Sequence, residues 1–310
     1  RSTTISDVIA DVNRVIDGIT SYTGYPASIC DSSWIIGKIG TGKAISASEK
    51  EAFLTQTVND VSGLNVGAKA KTAIALTALN IDATKVPSKN SDTIIDLVAQ
   101  IYNYSGDTIP YITYLPYMLM LEDLGNYDIP DNAKWGRTEL IQYAIDNYSG
   151  SSGWNAANGT DSAAMMIPAL APYYKNAENL NGYNGISQVS CAAIKVKVDE
   201  VIAQFKTVQE ANGTFGNNAN TTAVVIAALA SLGLDADGSD FTKTASGKSV
   251  LEAIFTYETT DNRLGYTSTA YNELASKDGL LALASYLEYY ASGSKNGDGS
   301  VYRFTKEITP

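Results

Sequence analysis

Histidine is missing from all 310 residues. Its absence removes Ser-His-Asp and Cys-His nucleophile activation, His-ligated catalytic zinc and imidazole acid–base chemistry in one step. Cysteine is nearly as scarce. Cys30 and Cys191 are the only two, and they lack the CxxC spacing of a metal or redox pair; two buried thiols are the simpler reading and one bridge the other. Basic residues are few, 22 Lys and Arg against 33 Asp and Glu for a net charge of −11. That balance offers no cationic face for nucleic acid or an anionic membrane. No apolar run reaches the roughly 18 residues of a membrane span, and no signal peptide is visible; Arg1 reads as a trimmed start.

What the chain does have is apolar content, 45%, and a repeating order in how it is used. Ile5, Val8, Ile9, Val12, Val15, Ile16 and Ile19 fall at helical spacing with Asp7, Asp11, Asn13, Arg14 and Asp17 between them. This predicts a helix with one wet face. Cys30 to Gly40 follows with no polar face of its own. The alternation returns five times. Ser48 with Glu51 suggests a capping box opening a wet-sided helix to about Val61, before the dry Lys71 to Asp82. Wet-sided helices around Ile94 to Ile101, Leu140 to Tyr148, Val198 to Phe205 and Val250 to Phe255 precede dry stretches at Tyr111 to Gly125, Asp161 to Tyr174, Thr221 to Asp235 and Lys277 to Tyr290. A helix apolar on every side must be buried on every side. Six wet and six dry helices in alternation therefore predict an all-α double ring, an (α/α)6 toroid, with the dry helices innermost. Weak strand candidates lie near Asn262 to Ser268 and Ser300 to Phe304. Residues 1–304 read as one domain and 305–310, TKEITP, as a linker to further domains.

The stretch QEANGTF, Gln209 to Phe215, has the Q-x3-G-x-aromatic pattern of the terpenoid-cyclase and prenyltransferase repeat. TAIALTALNID, DSAAMMIPALAPYY and TTAVVIAALASLGLD resemble its inner helices. The chain thus resembles, from about Ile5 to Phe304, the prenyltransferase-like repeat domains of secreted or wall-attached proteins of Gram-positive bacteria. Transcobalamin and the complement thioester domain are relatives in fold. The resemblance implies an extracellular location and leaves the activity open.

The family's chemistries can be tested position by position. Where its zinc prenyltransferases hold metal, this chain has Asn220 and Thr222, and no histidine exists to complete the set; no metal and no cofactor is expected. A class II cyclase needs further carboxylates beside the proton donor. Asp161 has Asn158, Gly159, Thr160 and Ser162 instead, and a lone Asp there reads as an N-cap. Neither Cys30-Asp31-Ser32-Ser33 nor Cys191-Ala192-Ala193-Ile194 can form a Cys-Gly-Glu-Gln thioester. Asp31 and Asp278 fall on adjoining inner helices, so a glycosidase pair is conceivable, with three helix caps at Asp31, Asp161 and Asp278 as the simpler account. DADGSD and NGDGS lack an EF-hand's ligand spacing and read as turns.

In a toroid the inner helices share one direction, so their N-termini gather at one mouth, where polar oxygens are favoured. The ligand surface expected there comprises Trp34, Tyr111, Tyr114, Trp154, Asp161, Phe215, Asn218, Asn220, Tyr266 and Asp278, with Asp31, Lys69, Lys71 and Lys277 nearby. Trp154, Phe215 and Tyr266 have the alternative role of plugging the loops between helices. The expected function is a monomeric, non-catalytic ligand-binding or adhesion module for a small molecule, glycan or peptide, with a corrinoid as one candidate. A carboxylate-dependent glycan enzyme or cyclase, and a structural scaffold, are the competing classes.

Overall fold

In the computed structural model the described residues are 5–89, 91–150, 154, 159–291 and 299–302. They form twelve helices, α1 Ile5–Ser21, α2 Ser32–Gly40, α3 Ala47–Asp60, α4 Val66–Ala78, α5 Leu97–Tyr102, α6 Leu115–Asp123, α7 Arg137–Asp146, α8 Thr160–Tyr174, α9 Gln188–Val208, α10 Ala219–Ser231, α11 Val250–Ile254 and α12 Glu273–Tyr289. The protein is mainly helical, as the periodicity predicts. The odd-numbered helices are the wet-sided set and the even-numbered ones the dry set.

Short polar residues punctuate the dry helices. Asp31, Asn65, Asn218 and Asn272 each accept a hydrogen bond from a first-turn amide, at 3.1, 2.8, 2.8 and 2.9 Å, which satisfies one orphan donor per helix. At the far end α10 closes with Gly233 at φ 73° and a Leu234 N–H to Leu229 carbonyl bond of 2.9 Å. α4 closes the same way through Asn80, φ 60°, and an Ile81 to Leu76 bond of 2.9 Å. A left-handed residue just past the last turn is what returns the chain outward.

The dry helices pack in cyclic order. α2 lies against α4, α4 against α6, α6 against α8, α8 against α10, α10 against α12, and α12 against α2. The wet-sided helices flank them, α5 on α4, α7 on α6, α9 on α8, α11 on α10 and α1 on α12. α3 is tied to α2 by Glu49, which accepts from Trp34 Nε1 at 2.5 Å and pairs with Lys38 Nζ at 2.6 Å. One hydrophobic cluster runs through all twelve helices. The first and last units are joined by a two-bond Arg14–Glu258 pair at 2.8 and 2.7 Å and by a Lys277–Asp31 pair at 2.5 Å. Cys30 and Cys191 are buried free thiols, and no helix of the described residues is long and apolar enough to cross a membrane.

Four local expectations need correction. The capping box opening α3 uses Ser46 and Glu49, two residues before the predicted pair. No strand forms at 262–268, where only isolated bridges Glu258–Leu264 and Gly265–Tyr271 occur; the buried Arg263 and Leu264 anchor the loop instead. The described part of 300–304 is an irregular segment, not a strand. Two short antiparallel hairpins lie elsewhere, β1 Val86–Ser88 with β2 Ser91–Ile95 and β3 Thr242–Lys243 with β4 Lys248–Ser249, the first consuming the start of the predicted third wet-sided helix. The suggested linker 305–310 lies outside the described residues.

On α10, Ile226 is fully enclosed while Val224 faces internal space. Ile226→Ala is expected to cost about 2–5 kcal/mol, and Val224→Ala about 1 kcal/mol or less. Urea unfolding of the two variants checks this; equal costs would contradict the placement of the α10 face.

Candidate functional site

Each dry helix buries most of its surface between neighbours and leaves one stripe facing inward. Tyr117 and Met120 of α6, Ala164, Met165 and Pro168 of α8, Ala223, Val224 and Ala227 of α10, and Asp278, Leu281 and Ser285 of α12 line a chamber of about 80 Å³. The i, i+3/4, i+7 spacing of these residues is one helix face. Pro168 has no N–H, so it cannot donate to the Ala164 carbonyl one turn back, and a proline here leaves an acceptor at the chamber wall.

The helices deliver a polar constellation to this interior. Asp278 accepts a short hydrogen bond from Asn220 Nδ2. Burial pushes the Asp278 carboxyl above the ordinary carboxylate range, with Lys71, Asn220 and Lys277 opposing and Asp161 adding to the rise. Burial works against the charge on Lys71 too, yet Tyr117, Asp278 and Asp31 together hold its pKa above the usual lysine value. Its ammonium sits 5.2 Å from the centre of the Tyr117 ring. Asp161 is also raised by burial, with Thr221 opposing, and its Oδ1 is buried with no hydrogen-bond partner. A buried acceptor left unpaired costs about 1–3 kcal/mol, so this oxygen marks a place where a donor would be welcome. Of Asp278, Asn220, Lys71 and Asp161, Asp278 alone lines the chamber; its carboxyl, held by Asn220 and in the field of Lys71 and Asp161, is the link between the apolar wall and the polar cluster.

Among the sequence-predicted residues, Asp161, Asn220 and Asp278 come together here. Asp31 is close by as the α2 cap and partner of Lys277. Two cap assignments are corrected: α8 begins after Gly159, so Asp161 stands within its first turn, and Asp278 lies inside α12, which Asn272 caps. Asn218 is the α10 cap. The aromatics go elsewhere. Trp34 is 3% exposed and bonded to Glu49; Trp154 is 2% exposed and donates to the Ala144 carbonyl at 2.7 Å; Phe215 is buried edge-on against Phe205. Their ring faces are not open to a ligand. Tyr114 lies on Gly67, where an added Cβ would come within 2.2 Å of its ring. Tyr111 and Tyr266 are exposed, 65% and 43%, apart from the chamber residues. Sequence reasoning missed Tyr117 and Tyr302. Tyr117 is one turn past Tyr114 and its spacing could have placed it; nothing local marks Tyr302.

Two larger concavities lie at the C-terminal ends of the dry helices, opposite the expected mouth. A vestibule of about 310 Å³ is lined by Thr77, Asn80, Leu124, Asn126, Pro172 and Ser231 among others. A groove of about 660 Å³ adjoins it through Thr77, Asn80 and Asn126. Among the described residues no three Cys, Asp or Glu side chains converge to hold a metal ion.

No protein-family model matches the chain, and no curated protein matches it significantly.

A carboxyl whose pKa is raised in the folded state binds its proton more tightly there than when unfolded. Its contribution is complete below the unfolded pKa and is lost as pH rises through the folded pKa. Stability of the native chain relative to Asp278→Asn is therefore expected to fall as pH rises from the ordinary carboxylate range upward. Thermal melts across that range check it; a gap that stays constant or widens with pH would show that Asp278 is not held protonated by burial.

Proposed function

We propose that the cyclic packing is an (α/α)6 toroid and that the protein is a non-catalytic module which takes a polar ligand into the axial chamber. The unpartnered Asp161 Oδ1 carries this reading: a buried acceptor in the field of Asp278, which lines the chamber, suits a ligand bearing an N–H or O–H donor. The toroid is supported by the closure of α12 on α2 and by five outer helices each flanking one inner helix.

The non-catalytic reading rests on how the reactive positions are occupied. Thr222, where the resembled zinc enzymes hold metal, donates to the Asn218 carbonyl at 2.7 Å and accepts from the Phe215 amide at 3.0 Å. Asp31 is committed to its cap and to Lys277, so the Asp31/Asp278 pair is not free for glycoside chemistry. The chamber's 80 Å³ favours a small polar group or a single side chain over a corrinoid macrocycle. The extracellular, cell-surface setting is proposed on the sequence resemblance alone, and the domain is taken to act as one copy. The scaffold reading has one observation in its favour: Trp34 is buried against Glu49 and Tyr114 is packed on Gly67, so neither is offered to a ligand, and the open concavities lie at the C-terminal ends of the dry helices.

Peptide, glycan and corrinoid arrays probed with the native chain test the reading. Asp161→Asn and Lys71→Met are expected to weaken any hit by about 10–100-fold, the worth of a hydrogen bond to a charged group. Arrays without a hit, or hits that both variants bind unchanged, would favour the scaffold.

A further inference from the structure

The last two residues of α6, Glu122 and Asp123, are both acids, and the helix has no basic residue in its last turn. Carboxylates are disfavoured there, at the negative end of a helix dipole. Both are also turned away from water, with 9% and 16% of their side chains exposed. One cation faces the pair. Arg137 opens α7, where the positive end of that helix disfavours it in turn. Its Nε donates to Asp123 Oδ1 at 2.8 Å, while its Nη1 stays 3.9 Å from Glu122 Oε1. The Tyr173 hydroxyl of α8 reaches the two Asp123 oxygens at 3.0 and 2.8 Å. Asp123 therefore ties three helices together, and it lines the vestibule as well.

Glu122 is left over. Its Oε2 is buried with no hydrogen-bond partner. A single guanidinium balances a single carboxylate, and a second buried charge without a partner is costly. The groups facing the two carboxyls are Arg137 and Glu139 of α7, Tyr102 of α5 and Tyr173 of α8. Arginine stays charged in proteins, and burial lifts both tyrosines further from ionising. Burial raises the Glu122 carboxyl above its ordinary range, with Arg137 opposing and Asp123 and Glu139 adding to the rise. Asp123 is raised by burial too, against Arg137 and Tyr173.

We infer that Glu122, Asp123 and Arg137 form a pH-operated latch, which holds α7 to α6 and α8 while Glu122 carries a proton and loosens at the vestibule wall when that proton leaves for solvent. Once ionised, Glu122 competes with Asp123 for the one guanidinium and repels both Asp123 and Glu139. A carboxyl raised in the folded state contributes stability that is complete below its unfolded pKa and is lost as pH rises through the folded pKa. The latch is thus shut on the acid side and released as pH rises.

Amide exchange of Leu140, Ile141 and Ala144, the buried face of α7, reads the latch against pH once corrected for the intrinsic exchange rate. Between about pH 5 and about pH 8 the protection of these amides in the native chain is expected to fall at least about 10-fold further than in Glu122→Gln, which keeps the shape of the protonated acid. The same pH dependence in both chains would overturn the inference. The side-chain carboxyl carbon-13 resonance of Glu122 gives a second reading on the native chain, free of any folding defect in the variant. Its titration midpoint is expected above the ordinary glutamate value; a midpoint at or below that value would overturn the latch.

Discussion

Six helices with no polar side can all be buried only if each has neighbours on both flanks, and a row of helices always has two bare ends. The contact between α12 and α2 removes those ends. It is the packing on which the rest depends, and it is reinforced by the Lys277–Asp31 pair and, one layer out, by Arg14–Glu258. Surface pairs of this kind add little each, and Arg14 is 40% exposed. Most of the closing energy comes from Ile35, Ile36, Leu280 and Leu283, all fully buried.

Closure has a second consequence. In the proposed toroid, six helices each about 10 Å across leave a central space that side chains must fill. Here the filling is mixed. Met120, Met165 and Leu281 supply apolar bulk, while Asp278 brings an ionisable group into the same volume, with Lys71 and Asp161 in its field. Charges so placed cost stability unless they are paired. Asn220 and Lys71 satisfy Asp278 in part, and nothing satisfies Asp161 Oδ1. A polar interior that an apolar one would replace more cheaply is the feature on which the proposed binding role rests. The segment ending in Tyr302 occupies the remaining space from the other end.

Much of the fold was legible because its determinants are local. The all-round apolar run of α10, its Asn218 cap and its Gly233 stop are contiguous in sequence, and α2, α4 and α12 repeat the cap with Asp31, Asn65 and Asn272. The hairpins at 86–95 and 242–249 escaped notice since their strands are two to five residues long, too short for alternation to show. The site was legible only in part. Asp161, Asn220 and Asp278 come near one another because they lie in the first two turns of α8, α10 and α12, although Asp161 and Asp278 are not the caps expected. The aromatics Trp34, Trp154 and Phe215 were assigned to a ligand surface that burial denies them: their polar atoms or ring edges already have intramolecular partners. Tyr302 could not be foreseen. It reaches Tyr117 across 185 positions (302 minus 117) through tertiary packing alone.

Closure of α12 on α2 is the central claim, and native-state hydrogen exchange tests it directly. The Ile35 and Ile36 amides of α2, the Val225 to Leu229 amides of α10 and the Leu280 to Leu283 amides of α12 are expected to exchange through one common global opening. Exchange of the α2 amides by a separate, lower-energy opening that leaves α10 protected would contradict it, making α2 a free end of a row of helices.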